Sequence, residues 1–218
     1  MIPEERSLPL FPLNTVLFPG ATMPLQIFEE RYLRMLQDCL NEDSRLGIVL
    51  IKEGKEVGET ATPHAVGTIA QIIQVKEVET SGRYFISITG ENRFIIKDII
   101  KQEPYLTAVV EILQESEDAI PPQLLTDLEN TLDQYRSLLV GLDGGWSRKS
   151  KPIEPTDTAT LSYKVGDLLQ MTLSQKQALL EESSAPVRIG SELKLLHKDI
   201  ETLKREVSQE FLRKFSSH

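Results

Sequence analysis

The chain has 218 residues, of which 40% are hydrophobic and 26% charged, as is ordinary for a soluble globular protein with one domain or two small ones. Its formal net charge is −9, whereas proteins that bind nucleic acid carry a basic face because phosphate contacts dominate their affinity. The one tight basic cluster, Arg148, Lys149 and Lys151, lies in a loop-like segment and is interpreted as solvated. The composition therefore disfavours nucleic acid as a partner.

Membrane and export signals are not indicated. No apolar run approaches the roughly 20 residues that span a bilayer, and the opening MIPEERS is acidic where a signal peptide would be basic. The single cysteine, Cys39, cannot form an internal disulfide, which suits a reducing compartment. We therefore expect a cytoplasmic protein without a membrane partner.

The stretch from Leu8 to Tyr32 combines apolar residues with prolines that return every few positions, LPLFPLNTVLFPGATMPLQIFEERY. Each proline fixes φ and removes a backbone donor, and the residue before it is pushed towards extended geometry. The pattern predicts short, kinked strands that end sheet edges and turn corners.

A helix follows these strands. Phe28, Tyr32, Met35 or Leu36, and Cys39 recur at helical spacing, and charged residues fill the opposite face. Cys39 falls on the apolar stripe, where a free cysteine is a small core residue rather than a nucleophile.

The rest of the first half is predicted as strands that alternate with turns. Ser81-Gly82 and Gly90-Glu91-Asn92 are turn signals. Several short strands with regular turns favour a barrel or sandwich over a parallel α/β sheet. The predicted strand segments are 46–52, 66–79, 83–89, 93–101 and 106–112.

Beyond a polar, proline-containing linker the apolar period becomes helical. The predicted organisation is a strand subdomain at 1–113, a linker at 114–123 and a helical bundle at 124–218. Ser174 and Gln177 have the spacing of a capping box, and Pro186 suits the first turn of a last helix. Helical stripes are predicted at Leu125, Leu128, Leu132, Tyr135 and Leu139, and at Leu161, Val165 and Leu168.

The last helix carries a seam whose residues are spaced three and four apart. This seam is interpreted as packing within the bundle, and a homodimer contact through the C-terminal helix is the alternative. Its residues are Leu193, Leu196, Ile200, Leu203 and Val207.

No catalytic or metal-binding pattern is found. The three histidines, His64, His197 and His218, are far apart, and a single cysteine cannot give zinc-finger spacing. The phosphate-binding glycine loop, the dinucleotide fingerprint and the GxSxG elbow are all missing. We therefore expect a protein that is not an enzyme and needs no cofactor and no metal. A small-molecule enzyme whose residues meet only in the fold is a minority alternative.

The N-terminal stretch resembles the start of the LON substrate-binding domain, the N-terminal domain of ATP-dependent Lon proteases. The matching features are the LPLFPL strand, the V-x-FPG segment, Pro24-Leu25 and the charged helix start at 28–32. Gly67 in VGTIA, the GENRFII segment, PYLTAVVEIL and the last helices also match. The resemblance covers roughly residues 7 to 212. It implies an α+β fold, with a small PUA-like β-barrel interrupted by one helix and a helical bundle after it.

In Lon proteases this domain helps to capture polypeptides, and the ATPase and protease domains follow it. The chain lacks a Walker loop, so the resemblance implies a standalone LON-domain protein that binds unfolded or partner polypeptides. It would act as an adaptor or modulator of ATP-dependent proteolysis, with a protease as a partner. The residues expected to line an apolar groove, or to flank it, are Phe11, Phe18, Met23, Leu25, Phe28, Glu30 and Arg31.

RNA binding is the alternative function, because PUA-like folds often bind RNA. It would need a basic groove assembled from distant residues, namely Arg83, Arg93, Lys97 and Lys101. The charge balance argues against such a groove.

Overall fold

The computed structural model describes residues 5–58, 61–78, 82–142 and 158–215. These residues form two compact units: a strand unit, Met1–Glu115 with Tyr163–Ser183, and a helical unit, Ser116–Ser162 with Ser184–His218. The strands are β1 (Glu5–Leu13), β2 (Thr22–Ile27), β3 (Arg45–Glu53), β4 (Thr62–Val78), β5 (Arg83–Lys101) and β6 (Thr107–Ile112). The helices are α1 (Glu30–Asn41), α2 (Pro122–Leu142), α3 (Thr158–Leu168), α4 (Leu173–Glu181) and α5 (Ala185–Phe215).

The strands of the first unit close into a barrel. Their order is β2-β5-β4-β3-β1-β6, and an additional β5–β6 pairing closes a ring of five strands. β1 and β3 run parallel, and the other pairs are antiparallel. Among the strands of the described residues, β2 pairs with β5 alone and is the free edge of the sheet. The expected α+β class, with a strand-rich sheet and a helical C-terminal region, is confirmed.

The course of β5 differs from the sequence-based prediction of a turn. The expected turn at Gly90–Asn92 does not form, because β5 continues from Arg83 to Lys101 with a register shift opposite β4 at this point. A Cβ on Gly90 would lie 2.4 Å from the carbonyl oxygen of Phe18. Glycine is therefore needed here for a close approach of two backbone segments, which is its other common role in a strand.

Two apolar clusters lie in the strand unit. One fills the barrel, with Leu8, Leu10 and Phe94 at its centre. The other joins the sheet to α1 through Tyr32, Met35 and Leu36 and includes Cys39. The predicted helix and its buried stripe are confirmed, except that Phe28 precedes the helix and is exposed.

Cys39 is a core residue, as expected. It is 1% exposed, and burial raises the pKa of its thiol to about 12. The thiolate, which is the reactive form, is therefore absent near neutral pH.

α4 begins two residues earlier than predicted. Thr172 is the N-cap, and Thr172 and Gln175 form the capping box that was expected at Ser174 and Gln177. Both pairs have the same spacing, so the local pattern could not separate them. Gln177 lies within the helix instead, where it is buried and donates a hydrogen bond to the carbonyl oxygen of Val66.

The helical unit contains α2 packed along α5. Leu128, Leu132 and Tyr135 of α2 are buried, as are Leu196 and Ile200 of the predicted α5 seam. This is the packing within a bundle that the sequence predicts. In α3, Leu161 and Val165 are buried as expected, but Leu168 is 46% exposed and Leu169 is buried in its place.

The predicted division of the chain at 113 and 124 remains a prediction, but the contacts in the structure group the chain differently. Tyr163–Ser183, which the sequence assigns to the helical bundle, clusters with the strands. The physical reason is visible at Gln177 and at Tyr163. Gln177 donates a hydrogen bond to the backbone of β4, and the ring of Tyr163 stacks on Phe18 at a centroid distance of 6.1 Å.

Candidate functional site

A pocket opens in the strand unit between the free edge strand β2, the start of α1 and the loop after β3. We call it the aromatic pocket. It encloses about 170 Å³, comparable to apolar cavities of about 150 Å³ that bind benzene. It has room for one aromatic side chain. Its lining residues are Phe11, Leu13, Pro24, Leu25, Gln26, Ile27, Phe28, Glu29, Tyr32, Glu56 and Val57.

Two aromatic rings form the floor of the aromatic pocket. Phe11 and Tyr32 are nearly buried, and their ring centroids lie 4.4 Å apart at an interplanar angle of 43°. The guanidinium of Arg31 lies 4.5 Å from the centre of the Tyr32 ring. Burial raises the pKa of the Tyr32 hydroxyl, so this group stays protonated and can donate a hydrogen bond. The floor thus offers aromatic surface and one polar group.

Two large apolar side chains of the aromatic pocket are open to solvent. Phe28 is 49% exposed and Val57 is 53% exposed, and both line the pocket. Leu25 is half-buried and packs against the core. Large apolar side chains that remain exposed around a concave, aromatic floor are typical of a binding surface rather than of a core.

The loop after β3 is fixed in place as a wall of the pocket. The amide of Asn14 donates to Glu56 Oε2 at 3.0 Å, and the backbone N–H of Gly58 donates to Glu29 Oε2 at 3.2 Å. Glu29 also pairs with Arg31, with Nη2 and Oε2 3.0 Å apart. Glu29 precedes α1 without capping it, so its carboxylate is available to hold both the loop and Arg31.

The structure brings three of the expected site residues together and separates the others. Phe11, Leu25 and Phe28 all line the aromatic pocket. Arg31 does not line it but holds Glu29 beside it. Glu30 is exposed in the first turn of α1, and Met23 packs against the core without reaching the pocket.

Phe18 differs from the expectation. It is fully buried and stacks on Tyr163, so it offers no surface to a ligand. Its apolar character was correctly recognised from the sequence, but the same character suits a core as well as a groove.

Several lining residues were not anticipated. Tyr32 was recognised as part of the helix stripe, and its place in the pocket follows from the turn of the chain between β2 and α1. Glu56 and Val57 lie in the loop after β3 and carry no local signal. Only the tertiary structure brings that loop next to Phe28.

Three of the four basic residues that an RNA-binding groove would need make contacts within the strand unit. Arg93 is 1% exposed and pairs with Glu115, with Nη2 and Oε1 2.8 Å apart. Lys97 pairs with Glu111 at 2.7 Å, and Lys101 lies 5.3 Å from the centre of the Tyr105 ring. A buried or paired cation cannot neutralise phosphates without first losing its partner. These contacts disfavour RNA binding, which stays a prediction as the alternative function.

Within the described ranges, no three His, Cys, Asp or Glu side chains converge in a way that could hold a metal ion. Among the same residues, no helix is both long and apolar enough to cross a bilayer.

Comparison with known proteins gives one family. The family model of the ATP-dependent protease La (LON) substrate-binding domain matches residues 7–198. A Lon protease from Flavobacterium johnsoniae is 26% identical over 210 residues, which cover 90% of this chain and 24% of that protein. Lon protease 2 from Sorangium cellulosum is 27% identical over 221 residues, which cover 94% of this chain and 26% of that protein. The chain thus spans about a quarter of the length of these relatives.

Solved structures agree with this match. A Lon N-terminal domain protein from Xanthomonas campestris superposes with a TM-score of 0.67 at 28% identity, covering 87% of this chain and 98% of that one. The N-terminal domain of a Lon protease from the Mycobacterium avium complex gives a TM-score of 0.65 at 19% identity, covering 88% and 98%. Because the second structure is only 19% identical in sequence, its similarity shows the fold alone.

Proposed function

The chain belongs to the LON substrate-binding domain family, and from this premise we propose that it binds polypeptides through the aromatic pocket without catalysing a reaction on them. The observation that carries the proposal is Phe28, which is 49% exposed at the opening of a pocket whose floor is Phe11 and Tyr32. An unfolded client offers aromatic side chains that a folded protein keeps buried. Such a pocket would therefore select unfolded chains.

The shape of the site supports breadth rather than strict specificity. One ring-sized cavity can accept an aromatic residue from many sequences, because its two carboxylates already accept hydrogen bonds within the chain, Glu56 from Asn14 and Glu29 from Gly58. β2 is a free sheet edge beside the pocket, so a client backbone could also run alongside this strand.

The proposal includes a role in proteolysis. The family match is to the substrate-binding part of Lon proteases, which supports an adaptor that delivers clients or modulates their delivery to a protease. The residues of the aromatic pocket include no nucleophile next to a base, and no three potential metal ligands converge within the described ranges. The cytoplasmic location expected from the sequence agrees with this role and stays a prediction.

The test is a fluorescence anisotropy titration of a labelled, permanently unfolded protein, with its folded counterpart as the comparison. We expect micromolar binding of the unfolded form only. Phe28→Ser should weaken this binding about tenfold, because burial of a phenylalanine side chain contributes about 1.5–3 kcal/mol. Since Phe28 is half-exposed and outside the core clusters, the variant should fold normally, which circular dichroism would verify.

Phe85→Ser is the matched control. Phe85 is 48% exposed, belongs to the same unit and does not line the aromatic pocket. Retained binding by this variant, together with loss in Phe28→Ser, would support the pocket. Equal losses in the two variants, or no selectivity for the unfolded form, would contradict it.

A further inference from the structure

A second pocket lies in the strand unit, between α4 and the adjoining ends of β3 and β4. We call it the acidic pocket. It encloses about 400 Å³, within the usual range of ligand sites, which starts at about 300 Å³. It is lined by Leu50, Ile51, His64, Leu173, Ser174, Gln177, Ala178 and Glu181.

The register of α4 places the lining residues of this helix. The capping box at Thr172 starts the helix at Leu173. Leu173, Gln177 and Glu181 then follow at intervals of four and share one face of the helix. Their side chains meet Leu50 and His64 of the strands at the pocket. The helix thus presents an apolar end at Leu173 and a carboxylate at Glu181.

The Glu181 carboxylate is held in a fixed position. Gln177 is 2% exposed, and its amide Nε2 donates both to the carbonyl oxygen of Val66 at 3.0 Å and to Glu181 Oε1 at 2.8 Å. The orientation of the amide is set by these two acceptors, because only the nitrogen can donate to both. A buried side chain that is anchored to the strand backbone therefore orients the carboxylate at the pocket.

The charge on Glu181 is not balanced by a basic residue of the described chain. Its one charged partner there is His64, with Nδ1 and Oε1 3.7 Å apart, a long contact that carries charge only when the imidazole is protonated. The Glu181 side chain remains 45% exposed. A carboxylate that is held in position beside apolar side chains attracts a ligand that combines a cationic group with an apolar segment.

The residues that line the acidic pocket determine which apolar segment fits beside the carboxylate. Leu50 is nearly buried, Leu173 is 40% exposed, and Ala178 is small enough to leave space beside them. An extended alkyl chain that ends in an ammonium or guanidinium group fits this combination, because its stem covers the leucines and its head reaches the carboxylate.

We propose that the acidic pocket binds the side chain of a lysine or arginine in a client polypeptide. The proposal rests on the proposed function and extends it to a second feature of the client. The two pockets are neighbours, since Leu13 of the aromatic pocket and Leu50 of the acidic pocket are Cα partners in the β1–β3 ladder. A single segment with an aromatic and a basic residue could therefore reach both. The net charge of −9 favours such a segment.

The experiment uses labelled peptides that carry one phenylalanine and one arginine, separated by one to six residues. Each peptide has a twin in which citrulline, the uncharged analogue, replaces arginine. We expect the best arginine peptide to bind about tenfold more tightly than its twin, in line with a hydrogen bond to a charged group at a half-exposed site. The preference should shrink in high salt, because ions screen exposed charges.

Glu181→Gln should abolish the preference for arginine and leave the binding of the citrulline twin unchanged. Glutamine keeps the oxygen that accepts from Gln177, so the variant retains the local structure. Glu129→Gln on α2 is the control, because Glu129 is exposed, lies outside both pockets and changes the net charge equally. The Glu129→Gln variant should prefer the arginine peptide over its citrulline twin as strongly as the wild type does.

The outcomes separate the two proposals. If the wild type binds both twins equally, or if Glu181→Gln keeps the preference for arginine, the proposal that the acidic pocket binds a basic side chain is wrong. Either result leaves the proposed function of the aromatic pocket unaffected. Failure of all the peptides, with no effect of Phe28→Ser, would overturn the proposed function. Free agmatine that binds more tightly than the arginine peptides would identify a small amine, not a polypeptide side chain, as the occupant and would also overturn the proposal.

Discussion

The strand unit and the helical unit use glycine in opposite ways. A Cβ on Gly67 in β4 would lie 2.5 Å from the carbonyl oxygen of Ile48 and 2.8 Å from Phe94 Cζ. Gly190 in α5 has no atom within 4 Å of the same position. A closed barrel brings strand backbones and interior side chains very close, whereas two packed helices keep their backbones apart. Glycine is therefore a steric requirement at Gly67 and is replaceable at Gly190.

The two units also differ in how they stabilise buried charge. Arg93 of the strand unit donates to the carbonyl oxygens of Leu180 and Glu182 at 2.8 and 3.0 Å and pairs with Glu115. In the helical unit the buried carboxylate of Glu192 accepts a hydrogen bond from the Ser162 hydroxyl at 2.9 Å. The backbone carbonyls at the end of a helix carry partial negative charge and stabilise the buried cation. At Glu192 the effect of burial exceeds the favourable effect of the buried Arg188, so the pKa of the carboxyl group rises.

The largest expected effect comes from removing the buried cation. Arg93→Met should lower the free energy of unfolding by about 2–4 kcal/mol, because it leaves the carbonyl oxygens of Leu180 and Glu182 without this donor and removes the cation that pairs with Glu115. Arg83→Met, at the exposed start of the same strand, is the control and should have little effect. Urea unfolding followed by circular dichroism would measure both. Similar small losses would mean that the carbonyls of the helix end do not depend on Arg93.

Glu192 should give the helical unit a pH dependence. Burial raises its pKa from 4.5 to about 8, against the opposing effect of Arg188. Between these two values the unfolded chain releases a proton that the folded chain keeps, so raising the pH favours unfolding. The stabilising contribution is complete below about pH 4.5 and is lost by about pH 8, with an upper bound on the order of a few kcal/mol.

Amide hydrogen exchange in α5 would measure this dependence across the same pH interval. Glu192→Gln should remove it, so that the variant gains stability over the wild type as the pH rises. Glu206→Gln, an exposed change in the same helix, should follow the wild-type profile. Parallel profiles for all three proteins would show that the carboxylate is ionised in the folded state.

Gly67→Ala should destabilise the strand unit by about 1–3 kcal/mol, the usual cost of overpacking a core. The carbonyl of Ile48 belongs to the β3 backbone and cannot move without disturbing the ladder between β3 and β4. Thermal unfolding would detect the change. An unaltered midpoint would imply that the barrel interior has room that the structure does not contain.

The smallest effect is expected from Gly190→Ala, which should stabilise the helical unit by about 0.5–1 kcal/mol. Alanine has the higher helix propensity, and its methyl group would enter open space. Hydrogen exchange in α5 is again the measurement. A loss of stability would show that the position is crowded and would remove the contrast with Gly67.

Local patterns were sufficient where the cause of structure is local. The stripe from Tyr32 to Cys39 predicted α1 and its buried face, and the alternation of Leu106, Ala108 and Val110 predicted the buried face around β6. Repeated apolar side chains on one face determine which side of an element is buried, whatever the element packs against. The strand-rich first half and the helical second half follow from the same periodicities.

Tertiary structure decided everything that depends on residues far apart in the chain. Gly90 has the local features of a turn, yet it lies in a continuous strand that pairs with β4, and the approach of Phe18 leaves no room there for a side chain. Phe18 and Phe28 belong to the same apolar stretch, and only the closed barrel buries the first and exposes the second.

The aromatic pocket shows the same division. The sequence identified Phe11, Leu25 and Phe28 as candidates, but the wall formed by Glu56 and Val57 comes from a loop almost thirty residues further along. Residue type by itself determined that these side chains avoid water. Which of them find a core and which stay at a surface depends on how the chain fills the available space, and that is fixed only when distant segments meet.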